Sequence, residues 1–94
     1  WLPVVTLKAN SKVSPVQIMD ALEKENIESR PVWKPMHLQP IFAQYPFYSQ
    51  INKGTPVSVA EDLFNRGVCL PSGSAMTDEE QQQVVRIVRD LFIA

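Results

Sequence analysis

Apolar residues first cluster at strand-like spacing in Leu2-Pro3-Val4-Val5-Thr6-Leu7-Lys8, and their β-branched and aliphatic character predicts a strand over residues 2–8. The period then changes. Ile18, Ala21 and Leu22 fall on one helical face, after a turn over Asn10–Val13. Ser14 is placed to cap that helix, Pro15 fits its first position and Gln17 completes an S-x-x-Q capping box. Asn26 suits the left-handed position just past its end. The first helix is therefore expected over about 15–25, and a second strand from Ile27 to Trp33.

Periodicity is lost from residue 34 to residue 57, where prolines and aromatics alternate and Asn52-Lys53-Gly54-Thr55-Pro56 reads as a turn. It returns with Val59, Leu63 and Phe64, the expected buried face of a second helix. Ser58 and Glu61 form its capping box and Gly67 its stop. Val68-Cys69-Leu70 is a short buried strand, ended by Pro71-Ser72-Gly73-Ser74. Thr77-Asp78-Glu79-Glu80 then gives a threonine cap, acids in the first turn and a glutamate at the third helical position. Val84, Val85, Val88, Leu91 and Phe92 recur at helical spacing to the end. The order is β-α-β-(arm)-α-β-α: three strands and three helices in one domain, residues 1–94. A small sheet covered by helices, a two-layer α/β arrangement of the α+β class, is the economical solution.

Composition sets the outer bounds. Ninety-four residues with 45% apolar and 20% charged content suit one soluble globular domain with a single core. A net charge of −1 and the lack of a basic stripe argue against nucleic acid. The apolar runs are too short to cross a bilayer. Cys69 stands alone, so no internal disulfide forms and a reducing cytoplasm is expected. One histidine and one cysteine are too few for a closed structural zinc site. Trp1 to Leu7 starts without methionine and runs directly into strand-like residues, which is expected of a piece of something longer.

The chemistry concentrates in Arg30-Pro31-Val32-Trp33-Lys34-Pro35-Met36-His37-Leu38-Gln39-Pro40. Each proline fixes its own φ, removes a donor and pushes the preceding residue toward extended geometry. The arm thus carries two cations, an imidazole, an indole and an amide on a stiff backbone. Those groups suit an anionic, ring-containing ligand, and they equally suit a proline-rich connector facing water. Arg30 can clamp a carboxylate or phosphate, or pair with Glu28. His37 can act as acid or base only with a partner that spacing does not reveal. Cys69, between Val68 and Leu70, reads as a small core residue. Ser72-Gly73-Ser74 reads as a plain loop or an anion-binding nest, and Tyr45, Phe47 and Tyr48 as residues that pin the arm down.

Three blocks then carry a family resemblance: Arg30 to Pro40, Leu63-Phe64-Asn65-Arg66-Gly67-Val68-Cys69-Leu70-Pro71-Ser72-Gly73-Ser74, and Thr77-Asp78-Glu79-Glu80. In this order, and across essentially the whole chain, the sequence resembles the C-terminal part of the sugar-nucleotide aminotransferases. These form the DegT/StrS group of pyridoxal-phosphate enzymes with the fold-type I architecture. The resemblance implies a homodimeric, cytoplasmic enzyme that moves an amino group from glutamate to a nucleotide-linked keto-sugar. The best-matching relatives act on UDP-linked 4-keto-6-deoxy sugars in surface polysaccharide biosynthesis. It also implies that a larger N-terminal domain, absent from these residues, carries pyridoxal phosphate on its lysine. Lys8, Lys12, Lys24, Lys34 and Lys53 all match small-domain positions, so the chain alone is expected to be inactive and to bind no cofactor.

On that resemblance the substrate-binding candidates are Arg30, Trp33, Lys34, His37 and Gln39. Arg30 would clamp a carboxylate or phosphate, with Lys34 as a second cation. Trp33 would offer a flat face to the sugar, and His37 and Gln39 would hydrogen-bond polar groups, His37 also assisting proton movement. Two other classes remain open from the residues: a free-standing small-molecule-binding module using the same arm, and an interaction domain whose aromatics dock a partner chain.

Overall fold

The computed structural model describes residues 2–48 and 58–93. Its helices begin where the local chemistry directs. Helix α1 runs over Pro15–Lys24. Gln17 N–H donates to Ser14 Oγ at 3.2 Å, and Ser14 N–H donates to Gln17 Oε1 at 2.8 Å, closing the capping box. At its end Asn26 takes a φ of 59°, the left-handed conformation that asparagine tolerates. Ile27 N–H then reaches back to the Leu22 carbonyl and Asn26 N–H to the Glu23 carbonyl, each at 2.9 Å. This pair of bonds is the Schellman closure, and it delivers Ile27 to the core.

Helix α2 spans Val59–Arg66 and helix α3 Asp78–Ile93. Thr77 and Glu80 cap α3 reciprocally, at 3.1 Å in both directions.

The strands are β1 (Val4–Thr6), β2 (Arg30–Pro31) and β3 (Gly67–Cys69), in the order β1-β3-β2 with both pairings antiparallel. Val5 and Pro31 both lie opposite Val68, and Val4 and Arg30 both lie opposite Cys69. All three strands are shorter than or offset from the expected ranges. In β2 the reason is proline: Pro31 has no N–H to give, so it sits on an edge, and the ladder spans two residues rather than seven. Around β1, pairing continues past the formal strand. Leu7 N–H donates to the Arg66 carbonyl at 2.9 Å and Leu70 N–H to the Pro3 carbonyl at 3.0 Å.

The core gathers Leu7, Val13, Ile18, Leu22, Val68 and Val84, with Met19, Ile27, Leu70, Ile87, Val88 and Leu91 packed around it. Helix α1 lies against β3 and meets α3, giving the expected α+β arrangement of sheet and helices. Ile18 and Leu22 are 1% and 0% exposed. The face of α3 is 84/87/88/91, so Ile87 takes the place expected of Val85, which is half exposed, as is Phe92.

Helix α2 departs further from expectation. Val59 lies largely in the open, Leu63 is 40% exposed and Phe64 half-buried, and no residue of this helix is fully buried. It meets β3, which follows it directly, and is held by polar contacts instead. Arg66 donates through Nη1 to the Leu7 carbonyl at 2.5 Å, and within the helix its Nε and Nη2 donate to Asp62 at 2.8 Å and 2.6 Å. Gly67, buried and with an ordinary φ of −100°, is required here for space. A Cβ there would sit 2.5 Å from Val32 Cγ2 and 2.6 Å from the Leu63 carbonyl oxygen. The turn expected over Asn52–Pro56 lies outside the described residues, as do Trp1 and Lys53.

Candidate functional site

The arm leaves β2 at Pro31 and is more regular than its sequence implies. Two 3₁₀ turns, Met36–Leu38 and Pro40–Phe42, follow one another. Pro35 and Pro40 each sit at the start of one, where a fixed φ helps and a missing N–H costs nothing. Leu38 N–H donates to the Pro35 carbonyl at 3.0 Å and Phe42 N–H to the Gln39 carbonyl at 2.9 Å. Pro35 is buried and anchors the segment.

His37 has two side-chain partners, Glu61 and Phe47. Its Nε2 lies 3.2 Å from Glu61 Oε1 in the first turn of α2. The imidazole stacks on Phe47 with ring centroids 3.6 Å apart and planes 13° from parallel. Both partners of the His37–Glu61 contact are largely withdrawn from water, at 17% and 19% side-chain exposure. Around them, Pro35, Met36, Phe42, Tyr45 and Ala60 complete an open concavity of about 350 Å³. Of the aromatics expected to pin the arm, Phe47 does so through His37. Tyr45 only tilts against Phe42, and Tyr48 is 86% exposed.

The other candidates lie elsewhere. Arg30 pairs with Glu28 at 2.7 Å, with both side chains mostly in solvent. It lines a separate concavity of about 230 Å³ with Ser29, Cys69, Pro71 and Ser72. Trp33 and Lys34 are exposed. Gln39 turns inward on the arm, its Nε2 donating to the Lys34 carbonyl at 3.4 Å and lying 3.9 Å from Met36 Sδ. Arg30 and His37 therefore open onto two hollows rather than one. Cys69 is buried in β3, its Sγ 3.8 Å from the Pro31 carbonyl, and acts as a core residue.

Sequence reasoning did not single out Phe47 as the partner of His37, nor Glu61 as anything beyond a cap. Glu61 carries a signal in hindsight. It is the third-position acid of a box whose serine is present, and such an acid has a second use if it does not fold back. Among the described residues no group of three or more His, Cys, Asp or Glu side chains could hold a metal, and no helix is long and apolar enough to cross a membrane.

The short antiparallel sheet, its helices and a proline-braced arm with an imidazole at its turn define a small α+β domain. The model of the DegT/DnrJ/EryC1/StrS aminotransferase family matches residues 1–89, and the chain belongs to that family. It is 50% identical over 92 residues to the Bacillus subtilis (strain 168) protein named "Putative pyridoxal phosphate-dependent aminotransferase EpsN", covering 98% of this chain and 22% of that one. It is 26% identical over 92 residues to the GDP-perosamine synthase of Vibrio cholerae, covering 98% of this chain and 23% of that enzyme. The chain thus spans less than a quarter of the length of these curated relatives.

The described residues do not make a pyridoxal-phosphate site on their own. Such a site needs an amine in a sheltered pocket, an acid opposite the pyridine nitrogen and a phosphate cup. Lys8, Lys12, Lys24 and Lys34 are all exposed. Glu61, the acid at the most enclosed polar cluster, is engaged by His37.

Proposed function

We propose that this chain is the small C-terminal domain of a pyridoxal-phosphate-dependent aminotransferase acting on a nucleotide-linked keto-sugar. The amino donor is glutamate, the acceptor a UDP-linked 4-keto-6-deoxy sugar, and the setting surface polysaccharide biosynthesis in a cytoplasmic homodimer. A larger domain of the same protein supplies the cofactor and its lysine, so the 94 residues alone turn nothing over. The observation that carries the reading is the family match over residues 1–89. The name of the Vibrio cholerae relative supports a nucleotide-sugar substrate.

The domain's own contribution is binding and orientation. Arg30, on an edge strand beside an open hollow, offers a bidentate group for phosphate or carboxylate. His37, held between Glu61 and Phe47, offers one ring nitrogen to a polar group. A nucleotide sugar has a base, two phosphates and a hexose ring, so contacts spread over two hollows suit it better than they suit a compact ligand. Trp33 and Lys34, exposed on the arm between Arg30 and His37, add a flat apolar face and a second cation.

The test uses the full-length protein loaded with pyridoxal phosphate. With glutamate and a UDP-4-keto-6-deoxy sugar it should release 2-oxoglutarate and form the amino sugar, and the 94-residue chain should do neither. Absence of turnover with both UDP- and GDP-linked keto-sugars would rule the reading out. Sedimentation of the same preparation as a monomer would remove the homodimer.

A further inference from the structure

Three capping boxes start the three helices, and they do not behave alike. In the first, Gln17 folds back to the Ser14 N–H at 2.8 Å, and in the third Glu80 folds back to the Thr77 N–H at 3.1 Å. In the second, Ser58 Oγ accepts from the Glu61 N–H at 3.1 Å as a cap should, but the Glu61 carboxylate turns to His37, 24 residues earlier in the chain. The return bond that the sequence provides for is replaced by a tether between α2 and the arm.

The direction of that tether matters for the imidazole. An ionised carboxylate only accepts hydrogen bonds, so the nitrogen facing it must carry the proton. Nε2 is therefore N–H in either charge state of the ring. Among the described residues this is the one hydrogen bond the His37 ring makes. Phe47 covers a face of the ring, and Ser58 fixes the backbone from which Glu61 extends. Rotation about the last bonds of His37 would break both the stack and the hydrogen bond.

We propose that Glu61 is the positioning residue for His37: by binding Nε2–H it fixes which ring nitrogen, Nδ1, is offered to the ligand. The inference rests on the reading of the arm as a nucleotide-sugar contact, and it adds the residue that aims the histidine. Glu61 need not touch the ligand. Its effect passes through the ring, as with the outer partners that set the tautomer of functional histidines.

The experiment uses the full-length holoenzyme with Glu61→Ala, His37→Asn, the double variant, and Glu80→Ala as a control that opens an ordinary box. Glu61→Ala should raise KM for the nucleotide sugar about tenfold, the loss expected when one hydrogen bond from the His37 ring is misaimed, with KM for glutamate within about twofold. The double variant should be no worse than His37→Asn, because the two residues act as one unit. Glu80→Ala should lower thermal stability and leave both KM values alone. Additive losses in the double variant would overturn the proposal.

A second measurement does not need turnover. In protein labelled with 15N-histidine, the His37 ring, assigned by its disappearance in His37→Asn, should show a hydrogen-bonded Nε2–H that Glu61→Ala removes. An Nε2–H signal unchanged in Glu61→Ala would also overturn the proposal. A full-length protein that aminates no nucleotide sugar would sink the proposed function, and the ring spectrum would still decide the role of Glu61.

Discussion

Two apolar-rich regions of this molecule obey opposite rules. The α1–β3–α3 side hides one aliphatic cluster, in which Ile18, Leu22 and Val68 are essentially inaccessible, although Val16 and Val85 on its helices stay exposed. The arm and α2 leave Met36, Ile41, Tyr45, Tyr48, Val59 and Leu63 in the open, and their fixed points are polar or aromatic contacts: Glu61 to His37, His37 to Phe47, Arg66 to Asp62 and Leu7. The first side is shaped by burial, worth about 25 cal/mol for each Å² of apolar surface withdrawn from water. The second is shaped by directed contacts, each worth little in stability but strict in geometry.

The contrast breaks most easily where burial is deepest. Leu22→Ala should destabilise the domain by about 2–5 kcal/mol, through lost transfer energy and the cavity left behind. Ile41→Ala, at 71% exposure on the arm, should cost less than about 0.5 kcal/mol. Denaturant unfolding of the two variants checks this. Equal losses would mean that the arm is part of the core.

Gly67→Ala comes next, because the junction between α2 and β3 belongs to both regions. The new Cβ would overlap the Leu63 carbonyl, which is backbone and cannot swing aside, as well as a methyl of Val32. A cost of about 1–3 kcal/mol is expected from overpacking. The φ of −100° adds no penalty of its own, so Gly67→Ser should behave alike. A neutral Gly67→Ala would show that α2 can slide on the sheet.

The same division explains what was legible in the sequence. Ser14 with Gln17, Asn26, and Thr77 with Glu80 were readable because each acts within four residues on the backbone beside it. The α+β class followed from the order of such elements. The apolar stripe of α2 was readable too, but periodicity tells which side of a helix is oily and not whether anything covers it. Glu61 was read as a cap since the motif is local, while its partner is 24 residues away. Pro31 was read inside a strand over Ile27–Trp33, and how far it shortens that strand depended on which neighbour it paired with. The arm residues could be named from their chemistry. Their division between two hollows is a property of the turns at Met36–Leu38 and Pro40–Phe42.

Arg30 separates the two kinds of order more sharply. Its pair with Glu28 lies mostly in solvent, so Arg30→Ala should change stability by no more than about 1 kcal/mol. On the proposed function, the same change in the full-length protein should reduce kcat/KM for the nucleotide sugar by about ten- to a hundredfold if the guanidinium binds the ligand. Unchanged steady-state kinetics would remove Arg30 from the site and leave the hollow around His37 to carry it.

The smallest expected effect is a pH dependence at the base of α2. The hydrogen bonds from Arg66 hold the Asp62 carboxyl below the usual carboxylate range; partial burial opposes them, and the charge of Arg66 adds to them. A carboxyl whose proton affinity is lower in the folded state stabilises that state above its unfolded pKa, ordinarily about 3.9. The contribution disappears as the pH falls through the lower folded value. Acid unfolding of Asp62→Asn should therefore be shallower than that of the parent below about pH 4, while the two run parallel near neutrality. Arg66→Ala should flatten the same limb, and it should also loosen β1, because the guanidinium bonds the Leu7 carbonyl as well. Identical acid limbs in all three proteins would mean that the pair inside α2 adds nothing to stability, and that Arg66 serves β1 through the Leu7 carbonyl alone.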